Sequence, residues 1–150
     1  MSVSEYADAG LASPMHFRVL GPDGGGPSLA ELRRLFRGQR ISATRRTRLE
    51  QSGRILALCG PKVVGLAVYE RADRDVRVVE AGIDAESPCG TDVISEGLLE
   101  ALELSCMASG ARRLLLLPRA GFPTAVLSRR GYVAIAAGGP AGSWFEKRFV

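Results

Sequence analysis

Histidine and cysteine are scarce in this 150-residue chain, and their scarcity excludes several kinds of site. His16 is the only histidine, and the three cysteines, Cys59, Cys89 and Cys106, are widely spaced without a CxxC pair. A structural zinc needs about four nitrogen or sulfur ligands, so we predict no metal site. The cysteine pattern also argues against a disulfide framework and favours a reducing cytoplasm. Serine and cysteine triads need a histidine base, and we expect His16 to be a capping or surface residue.

Long apolar runs are absent as well. The longest one spans residues 114–118, whereas a membrane-spanning helix needs roughly 20 apolar residues, so we predict no membrane segment. The N-terminal stretch contains Glu5 and Asp8 and lacks the basic start and apolar centre of a signal peptide. We therefore expect residues 1–14 to be a flexible leader and residues 15–150 to form a single domain.

Lysine is rare, and arginine supplies almost all the positive charge. Lys62 and Lys147 are the only lysines, and the formal net charge is +4. Arginine suits phosphate and carboxylate because its planar guanidinium binds two oxygens at once. The densest run consists of Arg33, Arg34, Arg37, Arg40, Arg45, Arg46 and Arg48. Residues 33–48 are either a solvated helix face or a surface for an anionic substrate, an acidic partner or nucleic acid. Nucleic acid is the weakest of these readings, because the run lacks the repeated aromatic interleaving that base stacking uses.

Periodicity and turn signals predict an alternation of strands and helices. Ser28 and Glu31 form a capping box before an amphipathic helix, and Gly60-Pro61 joins two apolar strands. The predicted elements are a strand at 17–20, helices from 28 and at 42–51, strands at 54–59, 62–69 and 76–84, a helix at 93–110, a strand at 112–117, a helix at 124–130, and strands at 132–137 and 143–149. The strand at 112–117 is apolar on both faces, which predicts a parallel neighbour reached through a helical crossover.

Two of these elements carry a detailed side-chain prediction. Alternation along strand 76–84 places Val76, Val78, Glu80, Gly82 and Asp84 on one face and Arg77, Val79, Ala81 and Ile83 on the other. In helix 93–110 the apolar stripe is Val93, Ile94, Leu98, Leu99, Ala101, Leu102, Leu104 and Met107, with Glu96, Glu100 and Glu103 on the wet side. We expect Asp92 to cap the start of this helix and Gly110 to end it.

This order of elements resembles the GNAT superfamily of acyl-CoA-dependent N-acyltransferases, from Phe17 to Val150. Three segments carry the likeness: Lys62-Val-Val-Gly65-Leu-Ala resembles the family's third strand, Gly97-Leu-Leu-Glu-Ala-Leu-Glu its long helix, and Val126-Leu-Ser-Arg-Arg-Gly131-Tyr132 its helix ending in Gly-Phe. The resemblance implies an α+β or α/β fold with a central mixed, mostly antiparallel sheet flanked by helices. It also implies transfer of an acetyl group from acetyl-CoA to a primary amine.

In this family the loop before the long helix binds the pyrophosphate of coenzyme A, using free amides and the helix dipole. Aligning the long helix places Gly90, Val93 and Ser95 on the motif R/Q-x-x-G-x-G/A, so all three motif residues are replaced, although Ser95 is small enough to be tolerated. The cofactor-binding residues that the resemblance implies are Gly90, Val93, Ile94, Ser95, Glu96 and Gly97. The alternative is a helix start that is capped by Asp92, repels pyrophosphate and binds nothing.

The resemblance also implies catalytic residues. A carboxylate on the third strand of the meander is a common base, which points to Glu80 and secondarily to Asp84. A strand glutamate is more often a solvated edge or an arginine partner. The family's tyrosine acid corresponds to Leu127 and its common asparagine to Ala120. Tyr69 or Tyr132 is left as a substitute acid, although packing explains a tyrosine at either place more easily.

The predicted function is therefore N-acetyl transfer to an unidentified small-molecule or peptide amine. The alternative is a catalytically inactive GNAT-like module that binds a ligand or a partner. An acidic partner at residues 33–48 and assembly into a homodimer both remain open at this point.

Overall fold

A computed structural model describes residues 15–21, 25–37, 39–135 and 144–149. The predicted leader, residues 1–14, and the predicted turn between the last two strands, residues 138–142, lie outside the described residues. None of the helices in the described part of the chain combines the length and apolar character needed to cross a membrane.

Strands and helices alternate as the sequence predicts. The elements are β1 (Met15–Leu20), α1 (Leu29–Leu35), α2 (Ala43–Gln51), β2 (Gly53–Cys59), β3 (Lys62–Ala72), β4 (Asp75–Ile83), α3 (Thr91–Ser109), β5 (Arg113–Leu116), a 3-10 turn (Pro118–Ala120), α4 (Thr124–Arg129), β6 (Val133–Ile135) and β7 (Trp144–Arg148). The strands form one sheet in the order β1-β2-β3-β4-β5-β7-β6. Among the described strand pairs only β4–β5 is parallel, with α3 as its crossover, which confirms the mixed, mostly antiparallel sheet.

Helices cover both faces of this sheet. One buried cluster joins α3 and α4 to β2, β3, β4 and β5, and a second joins α1 and α2 to the opposite face. Gly65 of β3 shows how closely α3 packs, because a Cβ built there would lie 2.8 Å from Cγ2 of Ile94. The capping box at the start of α1 forms as predicted, with the amide of Glu31 donating to Oγ of Ser28 at 3.2 Å.

A β-bulge in β4 corrects the predicted alternation of that strand. The register with β3 passes from Val68↔Glu80 to Tyr69↔Val78, so Val79 is the additional residue. Val76 and Val78 belong to the cluster under α3, whereas Val79 packs with α1 and α2. The prediction that Val76, Val78, Glu80, Gly82 and Asp84 share one face was therefore wrong, because a bulge changes which face the following side chains point to. Glu80 and Asp84 do share a face, the one that carries α1 and α2.

The side chains of α3 also depart from prediction. Val93, Leu104 and Met107 of the predicted stripe are more than half exposed, at 56%, 57% and 55%. Glu103, predicted on the wet side, is buried. The helix ends at Gly110 in the left-handed conformation, as expected, but it begins at Thr91 with no side-chain cap, so the predicted capping by Asp92 was wrong.

Candidate functional site

The parallel strands β4 and β5 stop pairing partway along β4. Their register runs from Asp75↔Arg113 to Val78↔Leu116, and the amide of Leu117 donates to the carbonyl of Val78 at 3.1 Å. β4 then continues to Ile83 with β3 as its only strand partner among the described residues. Such an edge offers backbone groups to an extended ligand, which can add to it like a short strand.

Helix α3 begins at the same end of the sheet, because it leads out of β4 and back into β5. Carboxyl ends of parallel strands are where ligands of open α/β sheets bind. Gly90 is the N-cap residue with a φ of 86°, and its carbonyl accepts from the amide of Ile94 at 3.1 Å. The amides of Thr91, Asp92 and Val93 precede that first helical hydrogen bond, and such amides have no partner within a helix. This helix start is therefore able to hold an anion.

The predicted cofactor residues fall into two groups around this helix start. Gly90 and Val93 lie at the first turn, before its first hydrogen bond is complete, and the side chain of Val93 is more than half exposed. The amide of Ile94 donates to the carbonyl of Gly90 within the helix. Ser95, Glu96 and Gly97 follow in the same helix, so their amides are likewise used in helical hydrogen bonds. Gly97 instead allows close packing, since a Cβ built there would lie 2.1 Å from Cζ of Phe17.

Two arginines, Arg129 at the end of α4 and Arg130 at its C-cap, lie near the acidic side chains of the first turns of α3. Nη2 of Arg129 lies 3.9 Å from Oδ2 of Asp92 and 4.0 Å from Oε2 of Glu96. Nη1 of Arg130 lies 3.7 Å from Oε1 of Glu96. The local sequence does not indicate these cations, because they come from a segment more than thirty residues away. They offset the repulsion that Asp92 exerts on an anion at this helix start.

Glu80, the first predicted base, lies on β4 just beyond the last pair with β5. Its side chain is 1% exposed, and Oε1 accepts a hydrogen bond from Nε of Arg45 at 2.8 Å. Nη1 of Arg48 lies 3.7 Å from Oε2, which has no hydrogen-bond partner among the described residues. Glu80 is thus an arginine partner that keeps one acceptor oxygen unused.

Asp84, the second predicted base, follows β4 and lies on the face of the sheet that carries α1 and α2. It is 3% exposed, and its Oδ2 lies 3.4 Å from Nε of Arg34 and 3.6 Å from Nζ of Lys62. Its Oδ1 accepts from the amide of Glu86 at 3.0 Å. Arg34 also donates to the carbonyl of Val63 and so links α1 to β3. Asp84 stabilises this contact by pairing with Arg34.

Tyr132, the predicted substitute acid, is buried away from the β4–β5 opening. Its hydroxyl donates to Oε2 of Glu103 at 2.8 Å, and burial raises the pKa of this phenol far above its ordinary value. Glu103 also accepts from Arg130 at 2.8 Å and lies 3.2 Å from Nζ of Lys147. Burial by itself raises the pKa of Glu103, but the hydrogen bonds from Arg130, Tyr132 and Lys147 outweigh it and leave the pKa below its ordinary value.

The two positions that match the family's acid and asparagine are apolar and buried. Leu127 is 3% exposed and Ala120 is 2% exposed. Both line a cavity of about 190 Å³ beyond the end of β5, which Phe122 and Phe145 also line. Neither residue offers a proton to a leaving group there.

Cys59 at the end of β2 lies beside Cys89 in the loop before α3. Their sulfur atoms are 3.3 Å apart, although thirty residues separate them in the sequence. Cys106 is buried in α3, and burial raises the pKa of its thiol to about 11. The described residues contain no group of histidine, cysteine, aspartate or glutamate side chains that could hold a metal ion.

We expect mild oxidation to join Cys59 to Cys89. Diamide takes one hydrogen atom from each thiol and becomes a hydrazine, so the chain loses two hydrogen atoms and gains a disulfide. Peptide mapping by mass spectrometry should find this single cross-link and a reduced Cys106. The Cys89→Ser variant should form no intramolecular cross-link, and a cross-link that involves Cys106 would contradict the geometry.

Several solved structures share this architecture, although the sequence matches no protein-family model and no curated protein. A probable acetyltransferase from Staphylococcus epidermidis superposes with a TM-score of 0.67 at 9% identity over 91% of this chain and 100% of its own. The GNAT domain of S. lividans PAT superposes with a TM-score of 0.65 at 16% identity over 90% of each chain.

An N-acetyltransferase from Thermoplasma acidophilum, solved in complex with coenzyme A, superposes with a TM-score of 0.54 at 11% identity. That match covers 64% of this chain and spans 60% of the length of the T. acidophilum protein. At these identities the likeness concerns the fold. The strand order, the single parallel pair and these superpositions together show that this chain has the fold of the GNAT superfamily.

Proposed function

We propose that this protein is an N-acyltransferase that transfers an acetyl group from acetyl-CoA to a primary amine. The observation that carries the proposal is the end of β4–β5 pairing at Val78 and Leu116, together with the amides without a helical partner at the start of α3, which follows β4 at that end of the sheet. Neighbours with this fold include one solved with coenzyme A, which supports the same class of donor here.

The residues at the opening fit the chemistry of coenzyme A. The amides of Thr91, Asp92 and Val93 are donors for its pyrophosphate, and Arg129 lies beside the same turn. The unpaired edge of β4 suits the two amide groups of its pantetheine arm. When bound, acetyl-CoA supplies an activated thioester carbonyl that an amine can attack.

Glu80 is the residue that we propose to receive the proton of the amine. Its Oε2 is an unused acceptor on β4 just beyond the last β4–β5 pair, and a water molecule can link it to the amine. Oδ2 of Asp84 also has no hydrogen-bond partner among the described residues, but it lies between two cations, 3.4 Å from Arg34 and 3.6 Å from Lys62. The hydroxyl of Tyr132 donates to Glu103. We therefore assign Asp84 and Tyr132 to the fold. The leaving thiolate then takes its proton from solvent, because Leu127 and Ala120 carry none.

Binding of acetyl-CoA tests this proposal first. A ligand present at 100 times its dissociation constant adds about 2.7 kcal/mol of stability. For a domain of this size we therefore expect a rise in Tm of roughly 5–10 °C. Pantetheine, which lacks the pyrophosphate, should raise the Tm much less at the same concentration. No shift with millimolar acetyl-CoA would contradict the proposal.

The buried Leu127 and Ala120 favour a second candidate, a module that binds acyl-CoA without turning it over. The two candidates share the donor site and differ in chemistry. Release of free thiol from acetyl-CoA in the presence of an amine panel distinguishes them. A Tm shift with no thiol release from any amine would support the inactive module.

A further inference from the structure

A pocket of about 550 Å³ lies where the loop before α2 meets the first turns of that helix. It is lined by Gln39, Arg40, Ser42, Thr44, Arg45 and Arg48. Three of these six residues are arginines and none is acidic. The residues therefore form a concave, cationic surface rather than a flat charged face.

Most arginines of residues 33–48 are paired within the chain and do not form a continuous docking surface. Arg37 pairs with Glu86 at 2.9 Å, and Arg46 pairs with Glu50 at 2.8 Å on the side of α2 outside the pocket. Inside the pocket the balance is different. The guanidinium of Arg40 makes no ion pair or hydrogen bond with any other described residue, and Arg48 approaches Glu80 only at 3.7 Å.

Arg45 forms the rigid wall of the pocket. It donates to Glu80 through Nε, to the side chain of Gln39 at 2.7 Å and to the carbonyl of Arg40 at 3.1 Å. Its guanidinium also lies 5.0 Å from the ring centre of Phe36. The pocket thus contains three cations beside one buried carboxylate, Glu80, and the guanidinium of Arg45 is held in place before any ligand arrives.

The start of α2 adds donors to this charge. Ser42 is the N-cap and accepts from the amide of Arg45 at 3.1 Å. The preceding amides of Ala43 and Thr44 have no partner within the helix, and the helix dipole there favours an anion. Arginine and helix amides together are suited to a carboxylate or phosphate group.

The pocket lies next to the proposed reaction site. Arg45 and Arg48 both line the pocket and both approach Glu80, and the unused Oε2 of Glu80 is the oxygen that faces Arg48. Glu80 itself is buried and does not line the pocket, so Arg45 and Arg48 are the residues that connect the pocket to the proposed base.

We infer that this pocket binds the oxyanion of the acceptor, so that the substrate is a small molecule carrying an amine together with a carboxylate or phosphate. The inference rests on the proposed acyl transfer. The pocket supplies the binding energy for the acceptor through its anion, while Glu80 receives the proton that the amine loses.

Matched amines test this inference. Phosphoethanolamine, β-alanine and propylamine carry a phosphate, a carboxylate and no anion, and thiol release from acetyl-CoA is measured with each. We expect kcat/KM to be at least tenfold higher for one of the two anionic amines than for propylamine. Which one leads decides between phosphate and carboxylate. Equal values for all three amines would overturn the inference and leave acyl transfer intact.

Arginine variants locate the anion. Arg40→Gln and Arg48→Gln should each raise KM for the better anionic amine roughly tenfold or more, because each removes a charge-assisted contact. KM for propylamine should change little. Arg46→Gln is the matched control, since Arg46 lies on the same helix with similar exposure but outside the pocket. An unchanged KM in both pocket variants would overturn the inference.

Binding without the donor separates this inference from the proposed function. Calorimetric titration of phosphoethanolamine and β-alanine into wild type, Arg40→Gln and Arg48→Gln needs no turnover. Binding that the pocket variants lose, with no thiol release from any amine, upholds the anion site and contradicts acyl transfer. If polyglutamate binds in an arginine-dependent way and neither small amine does, an acidic protein is the partner and the inference is wrong.

Discussion

Replacing Glu80 with alanine should lower the free energy of unfolding by about 3 kcal/mol, because it removes one partner of a buried ion pair. Glu80 is almost fully buried, and its loss leaves the guanidinium of Arg45, whose side chain is 20% exposed, without its carboxylate. Urea unfolding at pH 7 measures this change. The loss is expected to be large because the bulge in β4 turns Glu80 towards α2, where its pair with Arg45 is buried.

A matched control distinguishes burial from mere pairing. Glu86 also bonds to an arginine, Arg37, but the two side chains are 70% and 64% exposed. We expect Glu86→Ala to change the free energy of unfolding by less than about 0.5 kcal/mol, as exposed pairs do. Equal decreases in the free energy of unfolding for Glu80→Ala and Glu86→Ala would show that the buried pair stabilises the fold no more than the exposed one.

Glu80→Gln tests the catalytic assignment apart from stability. The amide keeps an oxygen for Arg45 and loses the ability to take a proton. We expect kcat to fall roughly a hundredfold, within the range typical of general bases, while the folded fraction at assay temperature stays near that of wild type. Unchanged kcat in a folded variant would remove Glu80 from the mechanism.

Glu103→Ala should have a comparable effect on stability, about 3 kcal/mol, because three donors depend on this carboxylate. Arg130, Lys147 and the hydroxyl of Tyr132 all point at it from the segment that follows β5. Unfolding in urea at pH 7 measures the loss. Glu100→Ala is the control on the same helix, since Glu100 is exposed, and should be nearly neutral.

The same network predicts a pH dependence with a defined sign. The pKa of Glu103 is lowered in the folded protein, so its ionised form is stabilised by folding. This contribution is fully present above the ordinary glutamate pKa of about 4.3 and is lost as pH falls below it. The difference in unfolding free energy between wild type and Glu103→Ala should therefore shrink at pH 3. A constant difference would contradict the role of the charge.

Local signals in the sequence predicted most of the elements. Ser28 and Glu31 predict the start of α1 through a capping box, and Gly60 with Pro61 predicts the turn between β2 and β3. The apolar strand β5 correctly predicted a parallel partner. Each of these signals depends on neighbours in the chain, which a single sequence contains.

What the sequence did not reveal depends on contacts between distant segments. The bulge at Val79 has no local signature, and it decides which helix Glu80 meets. Glu103 has the spacing of a wet helix face, yet the arginine and lysine that surround it come from elements that follow β5. Cys59 and Cys89 are likewise brought together only by the approach of the α3 loop to β2.

At α3 the sequence predicted the helix but not its first residue. The apolar residues indicate a long helix, but it begins at Thr91 and not at Val93. This difference decides which amides can donate to a ligand, because only those before the first helical hydrogen bond have no partner within the helix. The phosphate site that we propose is thus centred on Thr91, Asp92 and Val93.

Calorimetric titration of coenzyme A into wild type, Thr91→Pro and Thr91→Ala tests the central claim most directly. Proline suits the first position of a helix and lacks an amide hydrogen, so Thr91→Pro removes one donor and leaves the helix intact. We predict that Thr91→Pro weakens binding roughly ten- to a hundredfold without lowering the Tm, and that Thr91→Ala binds like wild type. Wild-type affinity in Thr91→Pro, or no binding of coenzyme A to wild type at millimolar concentration, would contradict it.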